Sequence, residues 1–335
     1  MLRSTLLVAF LVGLVAFVAV LVLNGFGDIV RGVTVIGWGL AAIVLIRLVA
    51  LTLAGTAWGL TLGREVSRPT SLYVGLRIIR EAINCLLPAV QVGGDIVGGR
   101  LLAQFGVPPG LAAGSILVDL LLQTATQGLL AVLGLFALWA AFGDTPVVRE
   151  IGWGLIVAVP ALGGFFMAQR MGLFALVDRG MGALQRFLPG LMPDQPIDLQ
   201  AGLVRIYAAR GRIAGASLVH LLGWSTGIAE IWLALHRMGQ HVSFAEALVL
   251  ESLGQAVRSA AFAVPGALGI QEGGFILLGS LFGLSSTTAL SLSLVKRLPD
   301  LAIGLPGLAA WQLLEFRKLK LPLLRRAPEA ICSDR

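Results

Sequence analysis

The stretch that decides the fold is Arg77-Ile-Ile-Arg80-Glu81-Ala-Ile-Asn84-Cys85-Leu-Leu-Pro88-Ala-Val-Gln91-Val-Gly93-Gly94-Asp95-Ile-Val-Gly98-Gly99-Arg100. It carries five charges, one proline and four glycines, and segments apolar enough to span a bilayer flank it. Charge is costly in hydrocarbon, so ionisable residues there face a partner or a cavity and mark a functional site. Proline and glycine argue against one unbroken helix. The reading for 72–106 is therefore two short helices joined by a turn near Pro88 to Gly94, a re-entrant motif rather than a span.

Composition sets the solvent. Of 335 residues, 57% are hydrophobic and 13% charged, with a mean hydropathy of +0.90. Soluble domains carry about 25% charged residues. Several runs exceed the roughly 18 apolar residues expected of a transmembrane helix. The chain reads as one all-α, polytopic membrane domain over 1–335. The net charge of +7 is not a nucleic-acid signature, because the basic residues gather in connecting segments and at the C-terminus, as on the cytoplasmic side of membrane proteins. Cys85 and Cys332 lie far apart and indicate neither a disulfide nor a metal site.

About six full spans are expected: Thr5 to Leu23, Val35 to Leu62 with Arg47 inside, Leu111 to Phe142 with Asp119 inside, Ile151 to Met171, Ile213 to Leu235 with His220 and Glu230 inside, and Ser286 to Leu314. The 173–212 segment is the one long polar connection. Its first part places Leu173, Val177, Met181, Leu184 and Leu188 at helical spacing, as in an amphipathic helix at a membrane surface. Residues 243–284 again mix apolar residues with Glu246, Glu251, Arg258, Pro265 and Glu272. The 316–335 tail is basic.

The two mixed stretches read as copies. Superimposing Pro88 on Pro265 shifts the numbering by 177, and then Asp95 meets Glu272, Phe105-Gly106 meets Phe282-Gly283, Ala112 meets Ala289, and Val118 meets Val295. With the basic loops on the cytoplasmic side, an odd number of spans separates the two stretches. The charge rule thus predicts an inverted-topology repeat with two re-entrant hairpins meeting near the midplane, an architecture by which secondary transporters build substrate sites.

Arg80-Glu81-Ala-Ile-Asn84-Cys-Leu-Leu-Pro88-Ala-Val-Gln91-Val-Gly93-Gly94-Asp95 resembles the first signature of the lysylphosphatidylglycerol synthetase transmembrane, or flippase-like, family. Val264-Pro265-Gly266-Ala-Leu-Gly269-Ile-Gln271-Glu272-Gly273-Gly274 resembles its second. The similarity covers nearly the whole chain and looks closest to the hopanoid-biosynthesis-associated branch. It implies lipid movement between leaflets or toward the outer membrane, a bacterial inner-membrane location, and a hopanoid or phospholipid as the partner, with a homo-oligomer or other lipid-transport proteins as further partners. The family's full-length synthases add a soluble aminoacyl-transferase domain; this chain ends soon after its last expected span, so no lysyl-lipid synthesis is expected.

Candidate transport residues follow from charge and spacing: Arg77, Arg80, Glu81, Asn84, Gln91, Asp95 and Arg100 in the first copy, and Glu251, Arg258, Gln271, Glu272 and Arg297 in the second. Glu81 corresponds to Arg258 under the 177 shift, and one reading sets them together across the pseudo-two-fold axis. The other pairs charges locally, Arg77 with Glu81 and Arg297 with Asp300. Asp95 and Glu272 either cap the helices that follow them or carry protons. The arginines together with Lys296 suit a phosphate head group. His220 reads as a satisfied interior histidine. Neither HExxH nor a G-x-S-x-G elbow nor a nucleotide-binding P-loop is present, so no cofactor is expected. An intramembrane enzyme such as a lipid phosphatase on Arg100, Arg258 and His220 is the alternative to transport.

Overall fold

A computed structural model describes residues 26–63, 66, 68–87, 93–170, 198–261, 264 and 267–324. Those residues form helices and short connections, with no strand among them. The helices are α1 (Phe26–Val35), α2 (Gly39–Thr61), α3 (Thr70–Leu86), α4 (Gly93–Gln104), α5 (Pro109–Phe142), α6 (Pro146–Arg170), α7 (Leu199–Ala208), α8 (Arg210–Arg237), α9 (Phe244–Ala260), α10 (Ile270–Leu281) and α11 (Ser286–Leu324).

Three of them, α2, α5 and α8, are long and apolar enough to cross a membrane. Helix α6 has 25 residues with Pro160 inside, and α11 has 39 residues with Lys296, Arg297 and Asp300 in its middle. The expected span at 5–23 lies outside the described residues, as do the amphipathic segment at 173–188, Pro88 and Gln91 at the first hairpin tip, and the tail beyond 324. Two boundaries differ from the sequence reading. The end of the 173–212 connection is not a polar loop: α7 packs Leu199, Leu203 and Ile206 into the interior, and α8 begins at Arg210. Helix α11 runs on to Leu324, so the first part of the basic tail continues a helix.

The two mixed stretches do break into short helices. α3 and α4 have 17 and 12 residues, and α9 and α10 also have 17 and 12. At 1.5 Å per residue, a 12-residue helix is about 18 Å long, well short of a hydrocarbon core of about 30 Å. Gly106 and Gly283, matched by the 177 shift, follow α4 and α10 with φ of +87° and +75°. That left-handed conformation reverses the chain into the next long helix and favours glycine.

Apolar packing divides into two clusters. The first gathers Ile36 and Ile43, Leu130 and Leu138, Ile231 and Leu235, Leu250 and Leu253, Phe275, and Leu292. The second gathers Ala57 and Trp58, Tyr73 and Ile79, Leu101 and Leu102, Leu111 and Leu122, Leu203, and Ala216. Helices α2, α5, α8 and α11 each run from one cluster to the other. α2 and α11 leave the first cluster and enter the second; α5 and α8 run the opposite way. Arg47 on α2 and Lys296 and Asp300 on α11 sit where the helix passes between clusters; Asp119 lies beside Val118 and Leu122 of the second cluster and Glu230 beside Ile228 and Ile231 of the first. Charged side chains thus gather where the two greasy ends meet.

Small residues let the helices approach closely, as is usual in membranes. A Cβ at Gly55 would come within 2.7 Å of the Val74 Cα, and one at Gly59 within 2.8 Å of the Tyr73 ring. α2 therefore crosses α3 almost backbone to backbone. On the outside, Leu45, Leu133, Phe136, Trp139, Trp153 and Ile156 are exposed, an apolar surface suited to lipid rather than water.

Candidate functional site: a buried ionic layer around a polar cavity

Arg80 on α3 anchors the layer. It is fully buried, and its guanidinium lies 4.7 Å from the Trp58 ring centroid. Its Nε and Nη2 donate to Asp95 Oδ1 at 2.9 and 2.6 Å, and its Nη1 donates to Asp119 Oδ2 at 2.8 Å. Asn84 donates to Asp95 Oδ2 and accepts from the Gly94 backbone N–H. Gly98 makes room: a Cβ there would sit 2.6 Å from Arg80 Cγ and Cδ. The first glycine-rich signature is thus the cradle of one buried arginine. Asp119 also meets His220 Nε2 at 3.0 Å and Gln123 Nε2 at 2.8 Å. His220 is an interior histidine with a carboxylate partner.

The second stretch builds a different pattern. Glu272 accepts from Gly269 N (2.8 Å), Ser293 Oγ (2.8 Å), and Arg297 Nε and Nη2 (2.9 and 3.2 Å). It caps α10 and holds an ion pair at once. Gln271 donates to Ser293 Oγ at 3.0 Å. Lys296, buried on α11, donates to Glu251 at 2.6 Å and lies 3.5 Å from Glu230. Asp300 is shared by Arg47 of α2 (2.9 Å) and Arg258 of α9 (3.2 Å).

These contacts correct part of the sequence reading. The local pair Arg77–Glu81 is present at 3.1 Å, but Arg297 pairs with Glu272, not with Asp300. Glu272 caps its helix, whereas at the first copy Asn84 takes the Gly94 N–H and Asp95 serves Arg80. Glu81 and Arg258 line one cavity, yet Glu81 is paired with Arg77 and Arg258 with Asp300. Arg100 lies away from that cavity, half-exposed and paired with Glu315. The basic residues expected to attract phosphate are therefore already matched by carboxylates. Missing from the sequence list were Arg47, Asp119, Glu230, Lys296 and Asp300. For Arg47, Asp119 and Glu230 the signal was a lone charge deep in an apolar run; Lys296 and Asp300 stand beside Arg297 in the charged interruption 296–300.

The cavity has a volume of about 180 Å³ and opens among α2, α3, α5, α8 and α9. Its ionic lining is Arg47, Arg77 and Arg258 against Glu81, Glu230 and Glu251. Three cations face three anions. Glu81, Cys85 and Asp300 bring ligand atoms within 4.8 Å of one another. Two guanidiniums hold Asp300 and a third holds Glu81, so a divalent cation entering there would meet three positive charges before any free carboxylate.

The sequence profile of the lysylphosphatidylglycerol synthase TM region matches residues 5–307. The chain belongs to that family. No curated protein and no solved structure matches it significantly. Membership in the lysylphosphatidylglycerol synthase TM family makes the chain a membrane protein with a lipid-related function, compatible with a lipid as its substrate. In this member both glycine-rich signatures supply carboxylates to buried ion pairs, Asp95 to Arg80 and Glu272 to Arg297.

Proposed function

We propose that this protein moves a lipid head group across the bacterial inner membrane through the central cavity, by alternating access of two halves related by inverted repeat. The observation that carries the reading is the opposed course of matched helices. α5 and α11 correspond under the 177 shift, and α5 runs from the second apolar cluster to the first while α11 runs from the first to the second. The hairpins α3–α4 and α9–α10 accordingly belong to opposite clusters, and each sends charged side chains into the ionic layer.

The crossings repeat as well. Gln127 on α5 meets Ser259 on α9 at 2.8 Å. Shifted by 177 in each direction, that pair becomes Gly304 and Ala82, and a Cβ on Gly304 would sit 3.7 Å from the Ala82 Cα. Chance similarity in glycine-rich sequence does not require reciprocal contacts. In this reading α6 and α11 complete the spans beside α2, α5, α8 and the segment at 5–23, and the chain is multi-pass. Rocking one half against the other exposes the cavity to each leaflet in turn. The cargo is a hopanoid or a phospholipid, and no lipid bond is broken.

The second reading is a lipid-modifying enzyme, favoured by one feature: His220, oriented by Asp119, opens on the same cavity as Arg258. One experiment separates the two. Purified protein in liposomes carrying head-group-labelled fluorescent lipid is exposed to a membrane-impermeant quencher. Transport predicts loss of the inner-leaflet signal with the lipid intact; Glu251→Gln slows it. Release of a head group or phosphate with no leaflet exchange would replace transport with chemistry.

A further inference from the structure

Three buried polar atoms on cavity-lining residues have no hydrogen-bond partner among the described residues: Arg47 Nε, Arg77 Nε and Glu230 Oε1. Two are donors and one is an acceptor. Buried polar groups are rarely left unmatched; none of the three atoms is open to water as the side chains stand, so a ligand becomes their partner when the side chain turns into the cavity. Glu230 is almost fully buried, its side chain 2% exposed, and its Oε1 lies 3.5 Å from an ammonium already committed to Glu251 at 2.6 Å.

We infer that the cavity selects an electrically neutral head group that carries an oxygen acceptor for the Arg47 and Arg77 N–H groups and an N–H or O–H donor for Glu230. The inference rests on the transport reading for its cargo, but it concerns binding. Charge balance supports it. With three guanidiniums and three carboxylates lining the cavity, a net anion gains a cation only by competing with a carboxylate already in place. Three arginines in isolation would favour a simple phosphate; three arginines each facing acids do not. A choline head group offers the acceptor without the donor, and leaves Glu230 Oε1 with only the Lys296 ammonium at 3.5 Å. An ethanolamine phosphate and an uncharged polyol both meet the requirement.

The test uses full-length protein in nanodiscs of mixed phosphatidylethanolamine, phosphatidylcholine, phosphatidylglycerol and a polyol-headed triterpenoid, with co-retained lipid read by native mass spectrometry. Phosphatidylethanolamine or the polyol lipid should be enriched about tenfold over the other two, the equivalent of about 1.4 kcal/mol. Which of the two is enriched separates the zwitterionic source from the neutral one. Glu230→Leu should abolish the enrichment while Glu251 still holds Lys296; Glu230→Gln, which retains an acceptor oxygen, should keep part of it. Enrichment of phosphatidylglycerol, equal retention of all four, or an enrichment unchanged in Glu230→Leu would overturn the inference. Enrichment without leaflet exchange would leave the inference standing and remove transport; exchange without enrichment would do the reverse.

Discussion

Arg80 and Asp95, fifteen residues apart on consecutive helices, are locked together by two hydrogen bonds to a single carboxylate oxygen, at 2.6 and 2.9 Å, with Arg80 wholly out of contact with solvent. A pair so buried is dangerous to break from one side. The surviving charge has lost its solvent and its partner together, and such truncations cost about 3–5 kcal/mol.

Asp95→Ala should therefore lower the thermal midpoint sharply or prevent accumulation of folded protein. Arg100→Ala removes a half-exposed partner of Glu315 and should cost less than about 1 kcal/mol. Thermal unfolding of both variants in one detergent checks the contrast. Equal losses would mean that the first signature does not act through Arg80.

Charge reversal at Glu81 and Arg258 gives a second prediction. Glu81→Arg places a cation against Arg77 and near the cavity face of Arg47; Arg258→Glu places an anion beside Asp300. Each single change creates its own repulsion. Glu81 lies within 4.8 Å of Asp300 and shares the cavity with Arg258, so in the double change the cation at 81 faces Asp300 and the new acid at 258 and relieves part of both, while its clash with Arg77 remains. Leaflet exchange in the double variant should be partly restored over the worse single one but stay below wild type; no restoration at all would mean that the two positions do not interact, and full restoration would mean that they pair directly.

Glycine positions give a third. A Cβ on Gly227 would overlap the Glu251 carboxylate, whereas one on Gly75 meets nothing within 4 Å. Gly227→Ala should push Glu251 off Lys296, slowing exchange and costing about 1–3 kcal/mol. Gly75→Ala should be neutral or stabilising by up to about 1 kcal/mol, from helix propensity alone. Exchange rates and melting of the two variants, measured side by side, decide it.

Much of this was legible in the residues. Charge inside apolar sequence located the ionic layer, and glycine with proline broke both hairpins where α3–α4 and α9–α10 break. Gly106 and Gly283, matched on sequence alone, share a left-handed turn. What could not be read was partner choice. Asp300 is three residues from Arg297, which suited a local pair, but it reaches instead to α2 and α9. Long-range pairing depends on how helices cross, and crossing is set by the places where small residues permit it, such as Gly55 on Val74 and Gly304 on Ala82. Helix α7 was missed because it is only 10 residues long and closes a connection read as polar; Gly202, where a Cβ would meet the Gly110 backbone, lets it lie against α5.

The opposed orientation of the halves is tested most directly by thiol labelling at the hairpin tips. In a background of Cys85→Ser and Cys332→Ser, Gln91→Cys and Leu268→Cys are each exposed to an impermeant maleimide added from one side of sealed, oriented vesicles. With opposed halves, one tip labels from the cytoplasmic side and the other from the opposite side. Labelling of both tips from the same side alone would contradict it.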